Sequence, residues 1–283
     1  QGPEVPRFEA ALARACGVPH AVALSSGTAA LEAIFASIPP GRVVVPALTF
    51  VATAAAARRA GHTVEFADVD DRTLCLSAGG VLKTAASGAA PLGAVVGVDF
   101  AGHPCDWPSF RMAFPSSWIV GDCAHSLGAR YAGHAAPAWP DAAALSFHPA
   151  KAITTGEGGA VVALGRRWIG HAAEWRDHGR RNGLAAFVGT NARMTDLQAA
   201  LGRSQLARLP ANIRRRRAVA EAYLAAFADL PGLRLPFVAA FARSAWHLFV
   251  VRVAARKRDA FRKALAARGV GTQVHYPVVY DHP

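Results

Sequence analysis

Residues 146–162 place a single lysine, Lys151, between an apolar segment that ends in Phe147 and a glycine-rich turn. A second apolar run, which includes Val161 and Val162, follows that turn. Burying an ammonium group is costly, so a lysine between two buried segments has a lowered pKa and a free amine. A free amine attacks carbonyl carbons, which is the chemistry of a Schiff-base lysine. A solvated loop lysine is the alternative that the local sequence leaves open.

A segment rich in small and hydroxyl residues, residues 25–31, connects a predicted strand to a predicted helix. Gly27 allows close approach of the backbone, and the free amides of a helix N-terminus bind anions. Thr28 adds a hydroxyl, so the segment is a candidate phosphate cradle. An ordinary helix cap formed by Ser26 or Thr28 is the other interpretation. The segment is not a P-loop, because it lacks the Gly-Lys-Ser/Thr ending.

Asp122 follows an apolar segment, residues 118–121, that is predicted to be a buried strand. Ligands of open α/β sheets bind at the carboxyl ends of the strands, which is where Asp122 is expected to lie. A carboxylate there can keep a ring nitrogen protonated, and His125 could support it by hydrogen bonding. Asp122, Cys123 and His125 could instead bind a metal. Their spacing matches no common metal site, so no metal is expected.

Composition limits the class of protein. The chain has 283 residues, 52% of them hydrophobic, which suffices for a large core and about two domains. No apolar run reaches the length of a membrane helix, and four scattered cysteines indicate a reducing, cytoplasmic location. The net charge of +12 favours anionic partners. The arginine run at residues 214–217 would spread around a helix, so we expect a solvated helix face and no nucleic-acid partner.

Short apolar runs alternate with helical stretches over the first two thirds of the chain, which predicts an α/β fold with a mostly parallel sheet. We expect strands at residues 20–24, 43–45, 63–66, 94–98, 118–121, 143–147 and 160–163. Beyond residue 195 we expect a helix that meets Pro210, a helix at 212–229, a strand at 248–253, a helix at 257–268 and a strand at 273–276. The expected domains are residues 1–205 and a smaller, incomplete α+β domain at 206–283.

Six short segments together resemble one family, the DegT/DnrJ/StrS pyridoxal-phosphate-dependent sugar aminotransferases. They occur in family order, at residues 2–5, 25–31, 46–53, 121–125, 146–162 and 191–196. The resemblance spans nearly the whole chain, and it implies an aspartate-aminotransferase-like fold, the fold type I of pyridoxal-phosphate enzymes. Relatives begin upstream of this chain and continue past it, and residues 133–141 and 182–189 differ from the usual pattern.

The resemblance also implies roles for single residues. Lys151 would bind pyridoxal phosphate as a Schiff base and carry protons during the reaction. Asp122 would pair with the pyridinium nitrogen of the cofactor. Phe50 would stack on the cofactor ring, and His125 would lie near its 3′-oxygen or its ring face.

The phosphate group of the cofactor would be bound by Gly27, Thr28 and Ser146. Asn191 would reach the phosphate of the neighbouring subunit's cofactor, which implies a homodimer with shared active sites. These are expectations from the resemblance, since residues 191–196 by themselves indicate only the start of a helix.

The implied reaction is a ping-pong transamination from glutamate to a keto group on a nucleotide-linked sugar, in polysaccharide or antibiotic sugar biosynthesis. One alternative is a pyridoxal-phosphate-dependent sugar dehydratase, although relatives that dehydrate typically replace the lysine with histidine. The other alternative is a catalytically retired homologue that binds the cofactor and serves a regulatory role. Lys151, Asp122 and the phosphate cradle are intact, which favours the aminotransferase.

Overall fold

The computed structural model describes residues 2–86, 88, 90–277 and 279. Its helices are α1 Glu4–Cys16, α2 Gly27–Ala36, α3 Val51–Arg59, α4 Ala78–Ala85, α5 Trp107–Ala113, α6 Arg166–Trp175, α7 Asp196–Phe227 and α8 Ala255–Ala266. Its strands are β1 His20–Leu24, β2 Arg42–Pro46, β3 Thr63–Ala67, β4 Leu92–Val98, β5 Trp118–Asp122, β6 Arg130–Tyr131, β7 His134–Ala135, β8 Ala142–Ser146, β9 Gly159–Ala163, β10 Arg180–Arg181, β11 Leu184–Ala185 and β12 Ala242–Arg243.

Seven strands form the central sheet, in the order β1-β9-β8-β5-β4-β2-β3. Strands β3, β2, β4, β5 and β8 pair in parallel, whereas β9 pairs antiparallel to both β8 and β1. The expected α/β fold with a mostly parallel sheet is therefore confirmed, and all seven strands predicted for it are present. The remaining short strands form a β10–β11 hairpin and a three-stranded sheet, β12-β6-β7.

Both faces of the sheet are covered, which explains why its strands are continuous apolar runs. In β2, Val44 packs into the core on one face, while Val43 and Val45 pack into the core on the other. The first core includes Phe8 and Leu12 of α1, and the second is built largely from α2, α3 and α6. The sheet is thus held rigidly between two buried layers.

This arrangement brings several strand ends to one edge. Since β1 is antiparallel to β9, and β9 is antiparallel to β8, β1 runs in the same direction as the parallel strands. The carboxyl ends of β1, β2, β4, β5 and β8 therefore meet at the same edge of the sheet. Open α/β sheets bind their ligands at this edge.

The helix break expected at Pro210 does not occur, because α7 is one helix of 32 residues with Pro210 inside it. Proline removes a single N–H donor, and Leu206, Leu209 and Ile213 on both sides of it are buried. Packing of these side chains stabilises both turns around the proline. Thr195 caps α7 through a capping box with Gln198.

The strands expected at residues 248–253 and 273–276 are also wrong. The first segment makes only one isolated bridge, between Arg234 and Arg252, and the second has no strand. An apolar run becomes a strand only where a neighbour pairs with its backbone, and none of the described residues extends such a ladder beside either segment. The predicted helix at residues 257–268 is present as α8.

The expected domain boundary at residues 205/206 falls inside α7, and the division into two domains stays a prediction. Within the described residues, no helix combines the length and the apolar character needed to span a bilayer.

Candidate active site

A cavity of about 360 Å³ lies at the carboxyl edge of the sheet. Seven of the eight predicted site residues line it, namely Gly27, Thr28, Phe50, Asp122, His125, Ser146 and Lys151. Asn191 does not line it. The geometry therefore brings together residues that are up to about 120 positions apart in the chain, as expected for a site at the edge of a parallel sheet.

Asp122 ends β5 and is 7% exposed, so its carboxylate has lost most of its water. Thr53 donates a hydrogen bond of 2.7 Å to Oδ2 of Asp122, and the N–H of Ala124 donates to Oδ1 at 3.2 Å. Burial raises the pKa of Asp122, while these two hydrogen bonds and the charge of Lys151 oppose the rise. A cation placed against this carboxylate would offset its desolvation.

Lys151 follows β8 in a turn where its N–H donates to the carbonyl oxygen of His148 at 2.9 Å. Its side chain is half-buried, and burial lowers the pKa of the amine. The negative charge of Asp122 opposes that shift. The burial expected from the flanking apolar runs is thus present, and it increases the fraction of the neutral amine that can attack a carbonyl.

The N-terminus of α2 forms one wall of the cavity. Ser26 is the N-cap, and its Oγ accepts a hydrogen bond of 3.0 Å from the N–H of Ala29. The amides of Gly27 and Thr28 occupy the first turn, where a helix leaves its N–H groups without intrahelical partners. The expected cap is therefore present at Ser26, and it leaves the amides of Gly27 and Thr28 free to bind an anion.

Glycine is required at two positions of this wall. A Cβ on Gly27 would lie 2.9 Å from Cβ of Ser146, which is closer than packed carbons come. A Cβ on Gly159, in β9, would lie 2.3 Å from the carbonyl carbon and oxygen of Ser26. Both glycines let β8, β9 and the start of α2 approach closely, which places Ser146 beside the helix N-terminus.

The hydrogen bonds of His125 fix its tautomer. The N–H of Ala101 donates to Nδ1 at 3.2 Å, so Nδ1 carries no proton. The neutral ring then holds its proton on Nε2, which lies 3.1 Å from the hydroxyl oxygen of Tyr276 and donates to it. Burial holds the pKa of His125 well below its usual value, and His247, Lys151 and His275 lower it further. His125 is therefore a neutral donor to Tyr276.

Four further cavity residues come from the last part of the chain and were not predicted. They are His247, Gln273, His275 and Tyr276. The ring centroids of His247 and His125 are 4.2 Å apart, and those of Tyr276 and Phe50 are 5.7 Å apart. No local sequence pattern predicts such contacts between distant loops. Thr53, the partner of Asp122, was also missed, although two hydroxyl residues four apart, Thr49 and Thr53, were a signal in an alanine-rich helix start.

Phe50 and Asn191 are the two most exposed of the predicted site residues. Phe50 is the N-cap residue of α3, and its ring is 53% exposed at the mouth of the cavity. Asn191 is exposed on the segment before α7, where its backbone forms an isolated bridge with Asp177.

Metal chemistry finds no support in the described part of the chain, which contains no group of three or more histidine, cysteine or carboxylate side chains arranged to hold an ion. Cys123, the neighbour of Asp122, is fully buried, and its thiol donates to Oδ2 of Asp99 at 3.3 Å, away from the site.

The donor groups of the cavity fit pyridoxal phosphate. The half-buried amine of Lys151 suits the aldehyde, and the buried carboxylate of Asp122 suits a protonated pyridine nitrogen. The free amides at the start of α2, next to Ser146, suit the phosphate group. A sheet of this topology with these groups at its carboxyl edge defines the class of fold type I pyridoxal-phosphate enzymes.

The chain belongs to the DegT/DnrJ/EryC1/StrS aminotransferase family, which matches residues 1–283. It is 36% identical over 284 residues to the dTDP-3-amino-3,4,6-trideoxy-alpha-D-glucose transaminase of Streptomyces venezuelae, covering 98% of this chain and 74% of that protein. It is 35% identical over 283 residues to the erythromycin biosynthesis sensory transduction protein EryC1 of Saccharopolyspora erythraea, covering 98% of this chain and 76% of that protein.

Among solved structures, S. venezuelae DesV superposes with a TM-score of 0.94 at 35% identity. The match covers 100% of this chain and 77% of DesV. The chain is thus a pyridoxal-phosphate-dependent aminotransferase of fold type I, and the family and the fold implied by its six motifs are confirmed.

Proposed function

We propose that this protein transfers the amino group of glutamate to a keto group on a nucleotide-linked sugar. The observation that carries the proposal is the cavity in which Lys151, Asp122 and the N-terminus of α2 meet. Relatives named as transaminases of dTDP- and UDP-linked amino sugars support this class of substrate. The net charge of +12 favours a substrate that carries a diphosphate. Such sugars supply polysaccharide and antibiotic biosynthesis.

When bound, pyridoxal phosphate supplies an electrophilic carbonyl and a conjugated ring that accepts electrons. Asp122 would accept a hydrogen bond from the protonated ring nitrogen and keep the proton there, because Thr53 and Ala124 hold its carboxylate in place. Lys151 would provide the attacking amine at Nζ and would carry a proton to and from the substrate carbon. Burial lowers the pKa of this amine, which increases the share of the neutral amine that both tasks need.

The other predicted residues bind and orient. The amides of Gly27 and Thr28, with the hydroxyls of Thr28 and Ser146, bind the phosphate group. The ring of Phe50, 53% exposed, would stack on the cofactor, and neutral His125 would lie near its ring face or its 3′-oxygen. His247, His275 and Tyr276 also line the cavity, where they would exclude water and contact the substrate.

We further propose a homodimer with shared sites, in the cytoplasm. Asn191 does not line its own chain's cavity, and Val188 and Leu197 on either side of it are 92% and 85% exposed. Apolar side chains so exposed are suited to burial against a second copy, which would bring Asn191 to the partner's phosphate site. The four free, buried cysteines fit a reducing compartment. Residues 206–283 would belong to a smaller domain that covers the site.

Borohydride reduction of the protein loaded with pyridoxal phosphate tests the role of Lys151. Peptide mass mapping should place the label on Lys151, and Lys83→Ala, a change at the end of α4, should leave labelling intact. Labelling at another lysine or failure to take up the cofactor would sink the assignment.

Transfer of nitrogen from ¹⁵N-glutamate to a panel of nucleotide-linked keto sugars tests the reaction. Mass spectrometry should find ¹⁵N in the sugar product. Loss of water from the sugar without ¹⁵N would identify a dehydratase. Labelling of Lys151 with no change in any sugar would identify a cofactor-binding homologue that is not an enzyme.

A further inference from the structure

Helix α7 contacts the two loops that carry His125 and His247, two of the histidines that line the cavity. His125 lies on the loop after β5, and Gly128 of that loop packs on Ile213 of α7. A Cβ on Gly128 would lie only 2.8 Å from Cγ1 of Ile213. Ile213 is 7% exposed, so this contact is part of the core. The packing of Gly128 on Ile213 of α7 therefore fixes the position of the loop that carries His125.

Arg216 lies one helical turn further along the same inward stripe, between Ile213 and the buried Ala220. Its Nη1 donates hydrogen bonds of 3.2 Å to the carbonyl oxygen of Trp246 and 3.2 Å to that of His247. Arg214, two positions earlier, is exposed, and its side chain makes no hydrogen bond or ion pair to a described residue. The arginine run is thus not uniformly solvated, and one of its members binds the turn that carries His247.

The turn formed by Trp246 and His247 depends on hydrogen bonds from other parts of the chain. Trp246 has a φ of 50°, in the left-handed region that residues other than glycine rarely adopt. The ring of His247 makes no hydrogen bond to a described residue, and its Nδ1 is buried without a partner. Its position therefore depends on the backbone, which Arg216 holds on one side. Ala245 and Leu248 hold the other side by donating to the carbonyls of Gly102 and Ala101.

The ring held in this way is the one that packs on His125. The two imidazoles lie 4.2 Å apart with planes inclined by 34°. Burial lowers the pKa of His247 to about 3, with Lys151, Arg216 and His275 adding to the effect. Both rings are therefore neutral, and the stack carries no repulsion between cations.

We infer that Arg216 is a positioning residue of the active site, which clamps the Trp246–His247 turn so that His247 packs against His125. The inference rests on the proposed function only in assigning His125 to the cofactor site. The clamp does not contact the cavity, so removing it should displace His247 and loosen His125 while the phosphate cradle and Asp122 stay in place.

The test compares Arg216→Ala and Arg216→Lys with Arg214→Ala as the matched control from the same arginine run. Imidazole ¹H–¹⁵N spectra of the full chain without cofactor report the two rings directly, with their signals assigned from His125→Asn and His247→Asn. Arg216→Ala should shift the signals of both rings and leave that of His62, which binds the carbonyl of Phe35 far from the site, unchanged. Arg216→Lys should cause a smaller shift, and Arg214→Ala none.

In the loaded enzyme, Arg216→Ala should lower kcat/KM about 10- to 100-fold, as expected for displaced active-site groups. A lowered thermal midpoint with unchanged signals of His125 and His247 would show a merely structural role and overturn the inference. If Arg216→Ala does not fold, Arg216→Lys, His247→Leu and the double variant that combines them test the inference. If Arg216 acts on His125 through His247, the shift of the His125 signal in the double variant should be smaller than the sum of the two single shifts. Additive shifts would overturn the inference. If only the transamination assay fails, the proposed function is wrong, but the spectra still test the role of Arg216 independently.

Discussion

Oγ1 of Thr53 lies 2.7 Å from Oδ2 of Asp122, and Oγ1 of Thr49 lies 2.7 Å from Oγ1 of Thr53. All three side chains are buried. Because Thr53 gives its proton to the carboxylate, it accepts one from Thr49, so the two hydroxyls form a relay that ends on Asp122. The relay holds one carboxylate oxygen at the floor of the cavity without supplying a counter-charge. Asp122 therefore remains able to bind a cationic ring nitrogen.

Thr53→Val should destabilise the protein without cofactor by about 1–3 kcal/mol, because it leaves a buried carboxylate oxygen short of one donor. The free energy of unfolding, measured in urea, checks this value. Thr63→Val, at the exposed start of β3, is the control and should change stability by no more than about 0.5 kcal/mol. Equal stability of Thr53→Val and the wild type would mean that the hydroxyl does not support Asp122.

Asp122→Asn should change the pH dependence of stability in the protein without cofactor. Burial raises the pKa of Asp122 above the ordinary value of an aspartate, so as pH rises the native state keeps this proton after the unfolded chain has released it. The stability contributed by Asp122 therefore falls as pH rises between those two pKa values, and the loss is complete above the higher one. Asparagine does not titrate, so the variant should gain stability relative to the wild type as pH rises from the ordinary pKa of an aspartate to the raised pKa of Asp122.

Thermal midpoints of the two proteins across that range provide the measurement. Asp99, whose pKa burial raises to about 7, titrates in both proteins and cancels in the difference. A difference that stays constant with pH would show that Asp122 has an ordinary pKa. With cofactor bound, the same variant should lose activity at least about 100-fold, as when an electrostatic stabiliser is removed.

Gly159→Ala should impair both stability and cofactor binding. The new Cβ would meet the backbone of Ser26 at 2.3 Å and the N of Gly27 at 2.5 Å, and backbone cannot move aside cheaply. We expect a loss of about 1–3 kcal/mol in unfolding free energy and weaker binding of pyridoxal phosphate, measured by titration. Gly170→Ala in α6 is the matched control, because a Cβ there meets nothing within 4 Å. It should stabilise the helix by about 0.5–1 kcal/mol. Similar unfolding free energies and similar cofactor binding in the two variants would refute the close approach of Gly159 to the backbone of Ser26.

The central sheet was predictable because its strands are buried on both faces and leave an unbroken apolar signal. The cradle, Asp122 and Lys151 were predictable for the same reason, since the cradle follows β1, Asp122 ends β5 and Lys151 lies in the turn after β8. The segments at residues 248–253 and 273–276 carry a similar apolar signal, yet they do not form strands. Local sequence does not reveal whether a pairing neighbour is present, and this explains the error.

Long-range contacts explain the other omissions. His247 reaches His125 through a turn that a distant arginine holds, and neither the turn nor the arginine has a local signal for this role. The run at residues 214–217 was correctly expected on a helix, but helical spacing alone does not say which arginine faces inward. That is decided by the buried positions on either side, Ile213 and Ala220.

Asn191 provides the test of the shared active site. The family resemblance implies that Asn191 reaches the neighbouring subunit's site, and within its own chain it is exposed and outside the cavity. Asn191→Ala should therefore be impaired in activity although its own Lys151 and Asp122 are intact. Asn212→Ala, in the middle of α7, is the control and should be active.

Mixing inactive Lys151→Ala chains with inactive Asn191→Ala chains then distinguishes an active site shared between two subunits from one formed by a single chain. If Asn191 serves the partner's site, a hybrid dimer has one site with both lesions and one site with neither. Random exchange makes about half of the dimers hybrid, so about a quarter of the wild-type activity should return. Native mass spectrometry confirms that subunits have exchanged. With exchange shown, a mixture no more active than its parents would mean that Asn191 acts on its own subunit's site or on none.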